Sequence, residues 1–182
     1  MVIGPDYSHD LKDWQIPEVD ILLRTAFGGE DEVRLVHALR QDGDMVTEMV
    51  TPWKNRIAGY AALSRMRQPE GWLCLAPVAV WPEFQRGALT PDGLDKRHWQ
   101  IGKRLVSGLV QAARLVDFDQ IPAMVVLGQP EFYEKCGFSR ARAANLKTPY
   151  PKEYTMLAAP GDDVPAATLV YPKAFGDDPA SK

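Results

Sequence analysis

The residues best suited to chemistry lie at the start of one amphipathic helix near the middle of the chain. Arg97, Lys103 and Arg104 crowd this position, next to Gly102. Helix N-termini ordinarily favour acidic residues, because the free backbone amides there carry partial positive charge. Cations beside those amides therefore predict a bound anion, and their clustering suits a small phosphorylated ligand.

The element before this helix is an apolar strand. Residues 73–81 contain almost no polar side chain, which is typical of a strand buried on both faces. Pro77 has no amide hydrogen, so we predict that strand pairing breaks there and leaves nearby amides free for another partner. The helix has a buried stripe at three- and four-residue spacing, formed by Ile101, Leu105, Leu109, Ala112 and Val116.

Two sequence blocks resemble a known enzyme family. Residues 77–86 (PVAVWPEFQR) and 101–106 (IGKRLV) are similar to the central motif of GCN5-related N-acetyltransferases (GNAT). That motif reads Gln/Arg-x-x-Gly-x-Gly/Ala and lies between the fourth strand and the third helix. Residues 125–138 (VVLGQPEFYEKCGF) resemble the YhbS-like subfamily, which reads VLG-x-P-x-Y-Y-x-x-x-GF. The similarity extends loosely from about Ile16 to Phe175, with both blocks in the family's order.

The resemblance implies an α/β (α+β) fold in a single N-acetyltransferase domain over residues 1–182. The expected architecture is a GNAT-type mixed, mostly antiparallel sheet, splayed at two central strands and flanked by helices. Residues 73–81 and 123–127 would be those strands, and the gap between them would admit the pantetheine arm of coenzyme A. We expect the C-terminal end to be loosely ordered, although Leu169–Val170–Tyr171 and Phe175 are apolar enough to dock.

The chain's own patterns agree with this architecture. Apolar spacing predicts two helices that meet at Gly28–Gly29, then a hairpin of residues 45–51 and 56–66 with its turn at 52–55. Gly59 inside the second strand predicts a bulge or a close backbone approach. In the family the helix junction helps to form the acceptor site, which makes residues 27–32 a candidate rim. Plain capping and turn chemistry is the alternative, and the sequence favours it.

The resemblance also assigns catalytic roles. Tyr133 matches the family tyrosine whose phenol would protonate the departing thiolate of coenzyme A. The alternative is that Phe132 and Tyr133 are a packing pair. The backbone of Val78, Ala79 and Val80 would pair with pantetheine, and the Val80 amide would stabilise charge on the carbonyl oxygen. The alternative for this stretch of backbone is ordinary strand pairing with a bulge at Pro77.

The pyrophosphate of acetyl-CoA would then lie at the start of the central helix. Gln100 stands where the family has its first glycine, and a β-carbon limits approach of the backbone to phosphate. An alternative reading starts the motif at Gln85–Arg86 and displaces the glycine. Taken together, the predicted contacts to the cofactor come from Arg86, Arg97, Gln100, Ile101, Gly102 and Lys103.

Residues 87–99 form an insertion in the family's phosphate-binding loop. Pro91–Asp92–Gly93 predicts a tight turn, so this segment should loop out rather than lengthen the helix. Two placements are open. The insertion either covers the cofactor phosphates, with Lys96 or Arg97 near a phosphate, or it contacts a second subunit in a homodimer.

The composition limits the binding partners and the cellular compartment that we expect for this protein. A formal charge of −3 argues against a general nucleic-acid binder. Two cysteines in patterns typical of buried positions favour a reducing, cytoplasmic setting. No apolar run approaches the ~20 residues that a membrane span needs, so no membrane partner is expected. His9, His37 and His98 show no metal-ligand spacing, and we predict no metal.

The resulting functional prediction is an acetyl-CoA-dependent N-acetyltransferase acting on a primary amine, most simply a small molecule. Direct attack in a ternary complex is favoured, because Cys74 and Cys136 lack a nearby His partner. No general base is identifiable; Glu70, Glu83 and ordered water are all open. The alternative function is a non-catalytic acyl-CoA sensor, or an interaction module, on the same fold.

Overall fold

The structure, a computed structural model, describes residues 7–85, 100–115 and 123–176. These residues form a six-stranded sheet in sequential order β1 to β6, in which only β4 and β5 are parallel. The strands are β1 His9–Asp10, β2 Met45–Trp53, β3 Arg56–Arg65, β4 Leu73–Val80, β5 Met124–Leu127 and β6 Thr155–Ala158. The helices are α1 Ile16–Phe27, α2 Asp31–Gln41, α3 Ile101–Leu115 and α4 Pro130–Tyr133.

The β2–β3 hairpin has a tighter turn than its sequence predicts. β2 continues through Pro52 to Trp53, so only Lys54 and Asn55 remain in the turn, which corrects the predicted turn at 52–55. The pairing register shifts between Thr51 and Pro52, which accommodates a residue without an amide hydrogen. Trp53 is buried, and its packing favours extending the strand over ending it at the proline.

Helices α1 and α2 cover one face of the sheet. α1 begins with a proline in its first turn and ends at Gly28, whose φ of 78° is the left-handed conformation common after helices. The apolar stripes of the two helices then pack on β2, β3 and β4. This cluster contains Val19, Leu22, Leu23, Val33, Val36, Val50, Tyr60, Ala62 and Ala79.

Helix α3 covers the opposite face. Its residues Leu105, Val106, Leu109 and Val110 form one apolar cluster with β3, β4, β5 and β6. On the side of the sheet that α1 and α2 cover, strands β4 to β6 are covered by the C-terminal segment instead. Leu169 is buried there, which confirms that this part of the chain docks. None of the helices in these described ranges is long and apolar enough to cross a membrane.

Candidate active site

The two central strands separate part of the way along their length. β4 pairs with β5 from Leu73 opposite Met124 to Leu75 opposite Val126, and this pairing ends there although β4 runs on to Val80. The prediction that these two strands are neighbours is therefore correct. Because β5 no longer follows it, the second half of β4 has one unpaired edge.

Pro77 lies where the pairing of β4 with β3 also changes. Leu75 is opposite Leu63 and Val78 is opposite Ala61, so two residues of β4 face one residue of β3. This extra residue is a bulge, and it accommodates the missing amide of Pro77.

The bulge turns the Val80 peptide group towards the open edge. The Trp81 amide donates to the Ala58 carbonyl at 3.3 Å and therefore points at β3. The N–H and C=O groups of successive residues point to opposite edges of a strand. Those of Val78 and Val80 therefore point to the gap beside β5. The Val80 carbonyl accepts a hydrogen bond of 2.6 Å from Gln85 Nε2.

The start of α3 provides free amides near this gap. The Gln100 carbonyl accepts the first intrahelical hydrogen bond, from the Arg104 amide at 2.9 Å. The amides of Ile101, Gly102 and Lys103 precede it and so have no partner within the helix. Gln100 has a φ of 44°, the left-handed conformation that glycine adopts most readily. The backbone at position 100 is thus glycine-like although the residue is glutamine.

Two glycines hold the start of α3 close to the sheet. A β-carbon at Gly102 would lie 3.4 Å from Val80 Cγ2 and 3.3 Å from Phe132 Cζ. A β-carbon at Gly59 of β3 would lie 2.6 Å from Ile101 Cγ2. The close approach that the sequence predicts at Gly59 is therefore present. These contacts bring the end of β4, the start of α3 and α4 together.

Tyr133 lies on α4 beside this junction. Its ring makes edge-on contacts with Phe132 and Phe138, with centroid separations of 4.9 and 5.9 Å. Burial, the largest effect, raises the pKa of Tyr133 above its ordinary value. Its hydroxyl forms no hydrogen bond with any described residue, although the ring itself is packed. Gly128, which the sequence reading did not single out, faces the same ring.

Comparison with known proteins identifies the family. No family model matches the chain. YhbS, an uncharacterized N-acetyltransferase of Escherichia coli strain K12, is 31% identical in an alignment of 143 residues that covers 74% of this chain and 74% of YhbS. The chain belongs to the GNAT superfamily of N-acetyltransferases and is YhbS-like.

Solved structures share the fold of this GNAT protein. The structure of Escherichia coli YhbS in complex with CoA superimposes with a TM-score of 0.78 at 24% identity, covering 96% of this chain and 93% of that one. A GNAT acetyltransferase from Brucella melitensis in complex with acetyl-CoA gives 0.69 at 23% identity, covering 93% and 97%. The predicted GNAT fold and enzyme class are confirmed.

Several predicted site residues of this GNAT protein lie outside the described ranges. They are Arg86, Lys96 and Arg97, together with the rest of the 87–99 insertion. Lys103 and Arg104 are described, and both side chains are exposed at the first turn of α3.

The two carboxylates that the sequence left open as general bases are Glu83 and Glu70, and neither is positioned for that role. Glu83 forms an ion pair with Arg56 at 3.0 Å, and the Arg56 guanidinium also lies 4.1 Å from the centre of the Trp81 ring. Glu70 is exposed in the turn before β4. Within the described ranges, no group of three or more His, Cys, Asp or Glu side chains is arranged to hold a metal ion.

A buried polar cluster lies under α2, one strand away from the gap. The Tyr60 hydroxyl donates to Glu48 Oε1 at 2.6 Å, and Arg40 Nη2 donates to the same oxygen at 2.6 Å. Burial, followed by the charge of Glu48, raises the pKa of Tyr60 well above its ordinary value. Sequence reasoning missed this cluster. The available signal was a glutamate, Glu48, in the middle of a strand that is otherwise half apolar.

Proposed function

We propose that this GNAT protein transfers the acetyl group of acetyl-CoA to the primary amine of a small molecule, by direct attack in a ternary complex. One observation carries the proposal: Gly102 lies so close to Val80 and to Phe132, the residue before Tyr133, that an added β-carbon would come within 3.4 Å of both side chains. The unpaired edge of β4, the free amides of α3 and a buried phenol therefore belong to one packed site.

These elements match the parts of acetyl-CoA in order. The edge at Val78 and Val80 suits the amides of pantetheine, which would pair with it as an added strand. The free amides of Ile101, Gly102 and Lys103 suit the pyrophosphate, since helix N-termini bind anions. The left-handed backbone at Gln100 supports this placement, because it leaves those amides in the orientation that glycine would give. Arg86 and Arg97 stay proposed phosphate partners.

Different residues of this chain would then assist different steps of the reaction. Acetyl-CoA supplies a thioester whose carbon accepts the amine nitrogen and whose sulfur leaves as a thiolate. The Val80 amide would donate to the carbonyl oxygen as negative charge develops there. The Tyr133 hydroxyl, which is free of hydrogen bonds to other described residues, would donate its proton to the thiolate, and the proton that the amine nitrogen loses as the amide forms would return to the phenol through water. Its raised pKa keeps the phenol protonated at neutral pH.

Direct attack is favoured over an acetylated cysteine. Burial raises the pKa of Cys74 to about 12, so its thiolate is scarce near neutral pH. Cys136 is also buried, and its thiol donates to the Phe132 carbonyl at 3.4 Å. Both cysteines are free and buried, which supports the proposal that the protein works in the reducing cytoplasm.

The test is a panel of primary amines scored by release of CoA. The Tyr133→Phe substitution should lower turnover by about 10²- to 10⁴-fold, the contribution typical of a general acid or base. The dissociation constant for acetyl-CoA should change less than twofold, since the ring and its packing remain. Tyr154→Phe, at a half-exposed tyrosine, is the matched control. Unchanged turnover in Tyr133→Phe would remove Tyr133 from this role.

A second candidate function is an acyl-CoA sensor without catalysis. One observation favours it. Glu83 is paired with Arg56 and Glu70 is exposed, so neither of these described carboxylates is positioned as a general base. Calorimetry with acetyl-CoA separates the two functions. Tight binding without turnover of any amine supports the sensor, whereas turnover excludes it.

The insertion is proposed as a clamp on the cofactor phosphates. Deletion of residues 87–96 should weaken CoA binding and reduce its dependence on salt, since fewer cations would then contact the phosphates. Unchanged affinity and salt response, together with an altered oligomeric state, would assign the insertion to a homodimer interface instead.

A further inference from the structure

The residues just after β4 fold back onto the end of that strand in a single 3₁₀ turn. The Phe84 amide donates to the Trp81 carbonyl at 2.8 Å. The Gln85 amide donates to the Pro82 carbonyl at 3.1 Å. The Gln85 side chain then donates from Nε2 to the Val80 carbonyl at 2.6 Å. Every carbonyl from the last residue of β4 to the first residue of the turn is therefore bonded locally.

Two contacts hold this turn in place. Phe84 is buried and meets the Trp53 ring edge-on, with a centroid separation of 5.2 Å. On the other side of the turn, the Trp81 indole Nε1 donates to the Ile57 carbonyl at 2.6 Å. The backbone on each side of the turn is thus fixed, which keeps the Gln85 side chain within reach of the end of β4.

The hydrogen bond from Gln85 lies on the open edge of β4. The Val80 carbonyl points into the gap beside β5, because the following amide, that of Trp81, points the other way at β3. A carbonyl on a strand edge is an acceptor for any added strand, and Gln85 already occupies this one. Among the described residues, the groups left for a ligand on this edge are the amide and carbonyl of Val78 and the amide of Val80.

The other end of the open edge is bounded as well. β5 pairs with β4 as far as Leu75, and Pro77 has no amide hydrogen to donate. On a longer edge, a ligand that adds as a strand could slide in steps of two residues, roughly 7 Å, and keep the same pairing pattern. Because this edge ends on both sides, an added strand has one register available.

We propose that Gln85 is a positioning residue for acetyl transfer. By capping the Val80 carbonyl, its side chain ends the open edge and fixes the register in which the pantetheine arm of acetyl-CoA pairs with β4. That register decides where the thioester lies relative to the Val80 amide and the Tyr133 hydroxyl. This inference rests on the proposed acetyl transfer. It adds a residue that acts on the reaction through the strand and the cofactor arm.

The first test is the Gln85→Met substitution, which keeps the length of the side chain and removes its donor. We expect kcat for acetyl transfer to fall about tenfold or more, since a displacement of about 1 Å at a reacting group costs about 10²-fold. KM for acetyl-CoA should rise less than twofold, because the uncapped Val80 carbonyl is still an acceptor for pantetheine. A merely structural role would raise KM instead. Gln41→Met, at an exposed glutamine at the end of α2, is the matched control and should keep both constants.

The second test observes the Gln85 side-chain amide directly and does not depend on turnover. Its ¹⁵N NMR signal is assigned through the backbone of the wild-type protein. A proton in the bond to Val80 should resonate downfield of a free glutamine amide. Saturation with CoA should retain this shift and slow exchange with water, because the arm would cover a bond that is exposed in the free protein. A move to the shift of a free glutamine would show that CoA displaces Gln85, and the inference would be overturned.

The two tests separate this inference from the proposed function. A signal retained in the CoA complex, without acetylation of any amine, upholds the capped edge and overturns the transferase proposal. Acetylation by the wild-type protein with an unchanged kcat in Gln85→Met overturns the role of Gln85 alone. Absence of CoA binding overturns both.

Discussion

Gly128 lies against the ring of Tyr133 so closely that a β-carbon at position 128 would overlap the ring and come within 3.1 Å of its Cδ2 atom. The Gly128→Ala substitution must therefore move the proposed general acid. A displacement of about 1 Å at a reacting group costs about 10²-fold in rate, so kcat should fall by that amount. The dissociation constant for acetyl-CoA should change little. Stopped-flow assays of CoA release, together with calorimetry, measure both quantities.

The control for this substitution is Gly29→Ala. A β-carbon at Gly29 has no neighbour within 4 Å, so alanine there adds the same methyl group without displacing anything. Both variants should bind acetyl-CoA, and only Gly128→Ala should lose turnover. Equal rates in the two variants would show that the position of Tyr133 does not limit the reaction.

Replacement of Gln100 by glycine should strengthen CoA binding. A side-chain-bearing residue in the left-handed region costs about 1–2 kcal/mol, and Gln100 has a φ of 44°. Glycine removes this cost from the folded protein whether or not CoA is bound. It also clears the β-carbon from the proposed phosphate site, and this second change is the one that should strengthen binding. We expect a dissociation constant several-fold lower, measured by titration with CoA.

Lys54→Gly is the matched control, because Lys54 has a φ of 53° in the β2–β3 turn. Glycine there relieves similar backbone strain while leaving the start of α3 untouched. If both variants changed CoA affinity equally, the effect would come from general stability and not from a phosphate site at Gln100.

A third prediction follows from the close approach of the Gly59 backbone to the Ile101 side chain. In Gly59→Ala the new methyl group would lie 2.6 Å from Ile101 Cγ2, so the first turn of α3 must shift. Overpacking of this kind costs about 1–3 kcal/mol in the free energy of unfolding. CoA affinity should fall as well. Urea denaturation and calorimetry test the two effects.

A second substitution checks the cause. Ile101→Leu removes the Cγ2 atom, so the double variant should be destabilised less than the sum of its single variants. Gly108→Ala, on the same helix with open space around it, should lower neither quantity. Strict additivity of Gly59→Ala and Ile101→Leu would contradict the proposed clash.

Tyr60 predicts loss of stability at alkaline pH. Burial and the charge of Glu48 raise its pKa in the folded protein above the unfolded value of about 10. Its contribution is therefore complete below pH 10 and is lost as pH rises through the folded pKa. The free energy of unfolding should fall by about 1.4 kcal/mol per pH unit above 10 for this residue. Urea denaturation between pH 8 and pH 11 measures the slope.

Removal of the hydroxyl isolates this effect. Tyr60→Phe should be less stable at pH 8, because Glu48 loses a hydrogen bond, but its slope above pH 10 should be shallower. Tyr7→Phe, at a tyrosine that is 88% exposed, should keep the wild-type slope. An unchanged slope in Tyr60→Phe would show that Tyr60 is not the group responsible.

The sequence located most elements of the candidate site but not their conformations. Pro77 predicted the break in pairing, since a missing amide has a local and unavoidable effect. Gly59 predicted a close approach because glycine has no side chain to hold a neighbour away. The left-handed backbone at Gln100 was not predictable, because glutamine rarely adopts it and its neighbours in space impose it. The Glu48 cluster combines residues distant in sequence, so only the folded chain reveals it.

The C-terminal segment covers one face of the sheet late in synthesis. The Val170 amide donates to the Gln68 carbonyl at 3.0 Å, and Leu169 is buried against strands formed much earlier in the chain. A growing polypeptide that has emerged only as far as β6 therefore exposes Cys74, Val125 and Leu157 to water. On the ribosome, this apolar surface is available to chaperones until residues 167–170 arrive. Premature termination before this segment would yield a chain that is prone to aggregate.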